Sequence, residues 1–259
     1  MSARSDPRMN HRLAALPPSD WPRWSSHLES VELPLGAVLK ESGRAMRHVV
    51  FPTTAVVSLM VLSENGDSTE IAIIGNEGIV GIASLMAGAM THCAIVQCAG
   101  EGFRLKVQAV QDEFARGGPA RLILLRNLQA FIAQIQLAAA CHRHNSVDQR
   151  LCRMLLMCLD RIQGNVLPMT QEQVAGRLGV RRESVTDHAL QLRAAGLAHW
   201  SRNRITVLDR QGLEHRSCEC YAVLRKERDR LLAGRSVVQV VRPIERHSFI
   251  AGPALVPAL

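Results

Sequence analysis

Arg182, Glu183, Thr186 and Asp187 combine residue types suited to recognition by hydrogen bonding. On a helix their spacing places them together on one polar face. An arginine so placed can donate two hydrogen bonds to guanine O6 and N7, and a glutamate can accept one from cytosine N4. Around them stand Thr170, Gln171, Arg181 and Ser184, with Arg202 and Arg204 further on. These are side chains of the kind that contact phosphate oxygens. The chemistry on offer is recognition of a nucleic acid rather than bond making or breaking.

The elements that must position these groups lie in the stretch Thr170–Gly196. Thr170 with Gln173 forms a capping box, which starts a first helix. Val174 and Leu178 give that helix an inward face, and Gly179 ends it as a residue free to take positive φ. A second helix starts near Arg181, with Val185, Ala189 and Leu192 as its buried stripe. The polar set occupies the opposite face at the amino end, where a helix-turn-helix carries its base-reading side chains. Gly196 closes this helix. LAHW and RITVL then read as a hairpin wing around Ser201–Asn203 that carries Arg202 and Arg204.

Charge supports this placement. The 259-residue chain has a net charge of +8. Residues 1–145 carry +1 of it and residues 146–259 carry +7. A basic surface binds duplex DNA by displacing condensed counterions, so the excess sits in the half that holds the helix-turn-helix. The composition, 47% hydrophobic with only 3% aromatic residues, predicts a core of Leu, Val, Ile, Ala and Met. No run of eighteen apolar residues appears and the first twenty residues lack an apolar segment, so neither a membrane span nor a secretory signal is expected. The expected location is cytoplasmic. The seven cysteines are Cys93, Cys98, Cys141, Cys152, Cys158, Cys218 and Cys220. Their spacing matches no zinc or iron–sulfur pattern, so they are read as small buried residues, with no metal and no cofactor expected.

Taken in order, residues 1–29 read as an irregular leader, in which Leu16, Trp21, Trp24 and Leu28 could form a short helix after Pro17 and Pro18. Residues 30–117 hold short β-like runs: VELPLG, AVLK, HVVFP, AVVSLMVL, TEIAII, HCAIVQC and FRLKV. That spacing suggests a sandwich or barrel, with Asn65-Gly66 as a hairpin tip and VQAVQDEFA as a short helix. Residues 118–145 form a long helix behind Pro119. Leu124, Leu128, Phe131, Ile135, Ala138 and His142 make one seam on it, and Leu125, Ile132 and Ala139 a second stripe. Two stripes imply that one packs on the β domain and the other on a second copy. Leu124, Leu128, Phe131, Ile135 and Ala138 are taken as the dimer set. Residues 146–232 open with another capping box at Ser146 and Gln149, hold the helix-turn-helix and wing, and end in a last helix from about Asp209 to Leu232. Residues 233–259 read as a loose tail.

This arrangement resembles the Crp/Fnr family of bacterial transcription regulators over about residues 30–232. The resemblance is strongest at VRRESVTDHALQLRAAGLAHWSRNRITVLDRQGLE. It implies an α+β fold: an N-terminal antiparallel β-roll of cyclic-nucleotide-binding type, a long dimerisation helix and a C-terminal winged helix-turn-helix. It also implies a homodimer on double-stranded DNA, with RNA polymerase as a partner and a small-molecule effector. Arg182 and Glu183 match the Arg-Glu pair near the start of the family's recognition helix. Asp187 stands where an arginine is common, which should change the preferred sequence or orient a neighbouring arginine.

The resemblance places an effector pocket over Glu77, Gly81, Ile82, Met90, Thr91 and His92. Ile82 takes the place of the family's ribose-binding glutamate and Met90 that of its phosphate-binding arginine. A cyclic phosphate without its cation would be desolvated unpaired, so cyclic AMP is not expected as the effector. Glu77 and His92 are read as structural or exposed. The family's N-terminal cysteine cluster is absent, and nothing in the spacing of His92, His142 or His144 calls for haem. The competing reading is a ligand-sensing module whose helix-turn-helix serves protein contacts. An enzyme is not expected, since no P-loop, G-x-S-x-G, H-E-x-x-H or dinucleotide fingerprint occurs.

Overall fold

Each of the seven β-like runs forms a strand: β1 (Glu29–Leu33), β2 (Val38–Lys40), β3 (His48–Pro52), β4 (Val56–Leu62), β5 (Ser68–Ile74), β6 (His92–Cys98) and β7 (Gly100–Lys106). The computed structural model describes residues 6–233 apart from Ala87. The tail expected over 233–259 therefore lies, after its first residue, outside the described residues. One antiparallel sheet has the order β1-β7-β3 and the other β2-β6-β4-β5. The β4–β5 hairpin turns at Asn65-Gly66 as expected, through a five-residue loop in which Ser63 N donates to Asp67 O and Gly66 takes φ +90°.

β4 is almost continuously apolar because both of its faces are covered. Val57 and Leu59 point into the roll with Ala72, Ile74 and Val96. Val56, with Ile73 and Cys98, packs on the far side against the C-terminal half. Alternation along a strand assigns successive residues to opposite faces, and here both faces are core.

The short helix expected after Pro17 and Pro18 forms, and a further one precedes it in the residues read as irregular. They are α1 (His11–Ala14) and α2 (Trp21–Ser25). Leu13, Leu16 and Trp24 are buried with Phe51, Ile79 and Leu105. Asn10, fully buried, donates to the carbonyls of Pro52 and Gly78 and pins this segment to the roll.

α3 (Val107–Arg116) leads into α4 (Gly118–His144), the expected long helix with Pro119 in its first turn. Asn145 leaves α4 in extended backbone, and the Ser146–Gln149 capping box starts α5 (Val147–Leu159). The C-terminal half continues with β8 (Val166–Leu167), α6 (Gln171–Leu178), α7 (Arg182–Ala194), β9 (Ala198–Ser201) and β10 (Arg204–Val207). Its sheet order is β8-β10-β9, so a strand absent from the sequence reading completes the wing. The expected last helix is two, α8 (Arg210–Arg216) and α9 (Glu219–Leu232), separated at Ser217–Cys218.

On α4 the residues expected as the dimer set pack against this same chain. Leu124, Phe131 and Ala138 are buried and Leu128 and Ile135 half-buried, and all of these except Ala138 lie in or against the two roll cores of this same chain. They face their own roll because the curved sheet and α3 supply the apolar surface for that stripe. The exposed stripe is the other one, with Leu125 at 43% and Ile132 at 48% exposure. By length and composition α4 alone among the described helices could cross a membrane; in this fold it packs on β5, α3 and α9.

Candidate nucleic-acid interface

α6 and α7 are built as their residues require. The Thr170 hydroxyl accepts from Gln173 N at 3.1 Å and Thr170 N donates to Gln173 Oε1 at 2.9 Å. Gly179 ends α6 in the left-handed region at φ +62°, ψ +45°. Val174, Leu178, Val185, Ala189 and Leu192 are all buried and lock the two helices over one core with α5 and the wing.

The polar set then faces outward. Arg181, Arg182, Glu183 and Asp187 are exposed, while Ser184 and Thr186 are half-buried. Thr186 Oγ1 donates to Gln171 Oε1 at 3.0 Å and joins the two helices, so part of its hydrogen-bonding capacity is already used. Thr170 is likewise engaged in its cap. Arg202 and Arg204 are exposed on the wing. Among the described residues no ion pair engages Arg181, Arg182, Arg202 or Arg204. The N-cap Arg181 makes no side-chain capping bond, so the first-turn amides of α7 add the positive end of the helix dipole to these cations. Arg181 and Arg182 are free to meet an anionic ligand here, beside the Glu183 and Asp187 carboxylates on the same helix end.

Residues 149–216 match the family model described as a Crp-like helix-turn-helix domain. The chain has the Crp/Fnr regulator fold with a Crp-like helix-turn-helix domain. Among solved structures, it resembles FixK2 from Bradyrhizobium japonicum (14% identity, TM-score 0.64, covering 74% of this chain and 98% of that one). A CRP/FNR-family transcriptional regulator from Thermus thermophilus aligns at 20% identity and TM-score 0.59, covering 72% of this chain and 97% of its own. The c-di-GMP responsive regulator CLP from Xanthomonas campestris aligns at 16% and 0.60, covering 74% and 99%. At such identities the likeness is one of fold. No curated protein matches the chain in sequence.

Within this Crp/Fnr fold the expected effector residues stand in differing surroundings. Ile82 opens a short 3-10 turn and is buried in the roll core. Gly81, at φ +85°, leaves room for Met46, whose sulfur would lie 2.6 Å from an added Cβ. Thr91 is exposed and Met90 half-buried. The His92 ring is buried edge-on against Phe131 of α4, centroids 6.2 Å apart. Burial, with Lys40 nearby, lowers its pKa to about 4, which keeps the ring neutral near pH 7. The Glu77 carboxylate is held by Arg161.

Sequence reasoning missed Lys40. Its buried ammonium donates to the carbonyls of Met90 (2.8 Å) and His92 (2.6 Å), fastening the segment where the family's phosphate arginine would stand. Burial lowers its pKa. A lone lysine closing the strand AVLK gave no signal of this.

Also unforeseen is a seam between the roll and the helix-turn-helix. Arg177 of α6 pairs with Glu70 of β5 at 2.8 Å, with side-chain exposures of 2% and 12%. Ser68 Oγ donates to Gly176 O at 2.9 Å, and a Cβ on Gly179 would lie 2.6 Å from Thr69 Oγ1. Arg161, just after α5, pairs with Glu77 at 2.6 Å, also buried. Burial alone would lower the Arg177 pKa, but Cys158 and Glu70 outweigh it and the net shift is upward. Burial pushes the Cys158 thiol itself up, so it stays uncharged and Glu70 supplies the compensating charge.

Proposed function

We propose that this protein is a sequence-specific, homodimeric transcription regulator that places the amino end of α7 in the DNA major groove. The exposed charge at Arg181 and Arg182, engaged in no ion pair among the described residues, carries this reading. Arg182, Glu183, Thr186 and Asp187 face base edges. Thr170, Gln171, Arg181 and Ser184 contact phosphates, joined by Arg202 and Arg204 from the wing. No catalytic step belongs to this reading, and RNA polymerase is the partner that the Crp/Fnr fold suggests.

The dimer forms through the exposed stripe of α4. Leu122, Leu125, Gln129, Ile132, Gln136 and Ala139 follow three- and four-residue spacing and are all exposed in the single chain. That is the seam a parallel pair of helices would bury. Cyclic AMP is not the effector, because Met90 and Ile82 offer neither the cation nor the carboxylate such a ligand needs.

Binding to duplexes selected from a random pool, followed by fluorescence anisotropy at several salt concentrations, tests the function. The expected result is sequence-selective binding that weakens steeply with salt. Binding indifferent to both sequence and salt would remove the reading. Sedimentation of the Leu125→Glu, Ile132→Glu double variant tests the dimer. It should sediment as a monomer while keeping its helical content.

A further inference from the structure

Cys141 lies in the last turn of α4, Cys218 is the N-cap residue of α9 and Cys220 lies in the first turn of α9. The break between α8 and α9 turns the last two sulfurs toward the first. All three side chains are buried, and their sulfurs lie within 4.8 Å of one another. Cys141 Sγ and Cys218 Sγ are 3.5 Å apart. The cluster is almost purely thiol, with Leu137 the one further hydrophobic side chain against it. By contrast Cys98, Cys152 and Cys158 are dispersed among aliphatic side chains of a large core, as packing residues are.

Polar and cationic side chains lie close to the sulfurs. Asn145 Nδ2 donates to Cys220 Sγ at 3.7 Å. Arg150 and Arg153 are buried close enough to act electrostatically on Cys141, and the Nε atoms of both are buried without a hydrogen-bond partner. An ion in the plane of three sulfurs at a metal–thiolate distance of about 2.3 Å needs sulfur–sulfur edges of about 4 Å. The observed triangle already has that scale.

We propose that Cys141, Cys218 and Cys220 form a three-thiolate site for a soft monovalent cation of the Cu(I) class, which ties the end of α4 to the start of α9. Soft thiolates select Cu(I) and Zn(II) among common metals. A structural zinc site takes four protein ligands, and among the described residues no fourth His, Cys, Asp or Glu completes this group. Binding displaces the thiol protons, and three thiolates with two guanidinium groups would then leave one negative charge, which a monovalent cation cancels. Most of the cysteines are expected to be packing residues, with Cys218 and Cys220 noted as the one close pair; for these three the fold supplies ligand geometry that separation along the chain conceals.

The test is titration of the reduced, metal-free full chain with Cu(I) under anaerobic conditions against a chromophoric Cu(I) chelator. The expected result is one copper retained per chain, a raised Tm, and three sulfur neighbours by X-ray absorption. Cys141→Ser, Cys218→Ser and Cys220→Ser each lose the retained copper, while Cys93→Ser and Cys152→Ser keep it. The absorption measurement uses unmodified protein and so stands even where a serine variant fails to fold. Failure to hold copper against the chelator would overturn the proposal. So would nitrogen or oxygen neighbours in place of sulfur, equal loss in Cys93→Ser, or tight four-coordinate zinc in preference to copper. A Cys141–Cys218 disulfide in oxidised protein, with no copper bound by the reduced form, would do the same.

Discussion

Arg177 and Arg182 stand on adjacent helices of the same motif and are used in opposite ways. Arg177 is buried and its Nε donates to Glu70 at 2.8 Å, with the Met169 and Cys158 sulfurs beside its other nitrogens. Arg182 is exposed, with no ion pair among the described residues. The first charge is committed: it was desolvated on folding and stays only because a carboxylate meets it. The second remains hydrated and available, so it can be traded for contacts with an anionic partner. One face of the helix-turn-helix is thereby fastened to the roll while the other is left for recognition.

The largest effect expected from breaking this contrast is at Arg177. Arg177→Ala leaves Glu70 buried without its partner and should destabilise the fold by about 3–5 kcal/mol in urea titrations. The double variant Glu70→Gln, Arg177→Met should recover much of that loss, because no isolated charge remains. Arg182→Ala should leave the urea midpoint unchanged and weaken binding to the selected duplex by about 1–3 kcal/mol, with little change on scrambled DNA. An equal loss on both duplexes would make Arg182 a phosphate contact only. Thr170→Ala removes the cap of α6 and should cost about 1 kcal/mol of stability, read from the same titrations. Arg202→Ala on the wing should have the smallest effect: a uniform weakening across sequences and a log–log salt slope shallower by about 1.

Much of this molecule is legible where the physics is local. The capping boxes at Thr170 and Ser146, the helix-ending Gly179, the Asn65-Gly66 tip and the outward polar face of α7 each depend on residues a few positions apart. Pairings between distant residues are not legible in that way. Glu70 gives no sign of Arg177, nor Lys40 of the Met90 carbonyl, nor Cys141 of Cys218, until the fold joins them. The N-terminal residues are legible only in part: the helix after Pro17 and Pro18 is anticipated through Trp21 and Trp24, whereas α1 is too short to display a period, so the burial of Leu13 has no sequence signature. On α4 both stripes were visible, but the seam assigned to a partner, Leu124 and Phe131 among it, is the one this chain's own roll covers. Two apolar stripes on one helix look alike until the sheet that claims one of them is in place.

The homodimer proposed above presents two α7 amino ends together, one helical turn of DNA apart. Its most direct test compares affinity for a selected two-fold site whose half-sites lie about 34 Å apart with affinity for the same half-sites shifted by half a turn. The account predicts tight binding to the first duplex and a large loss on the second, where one recognition helix faces the wrong side of the duplex. Equal affinity for both would contradict it.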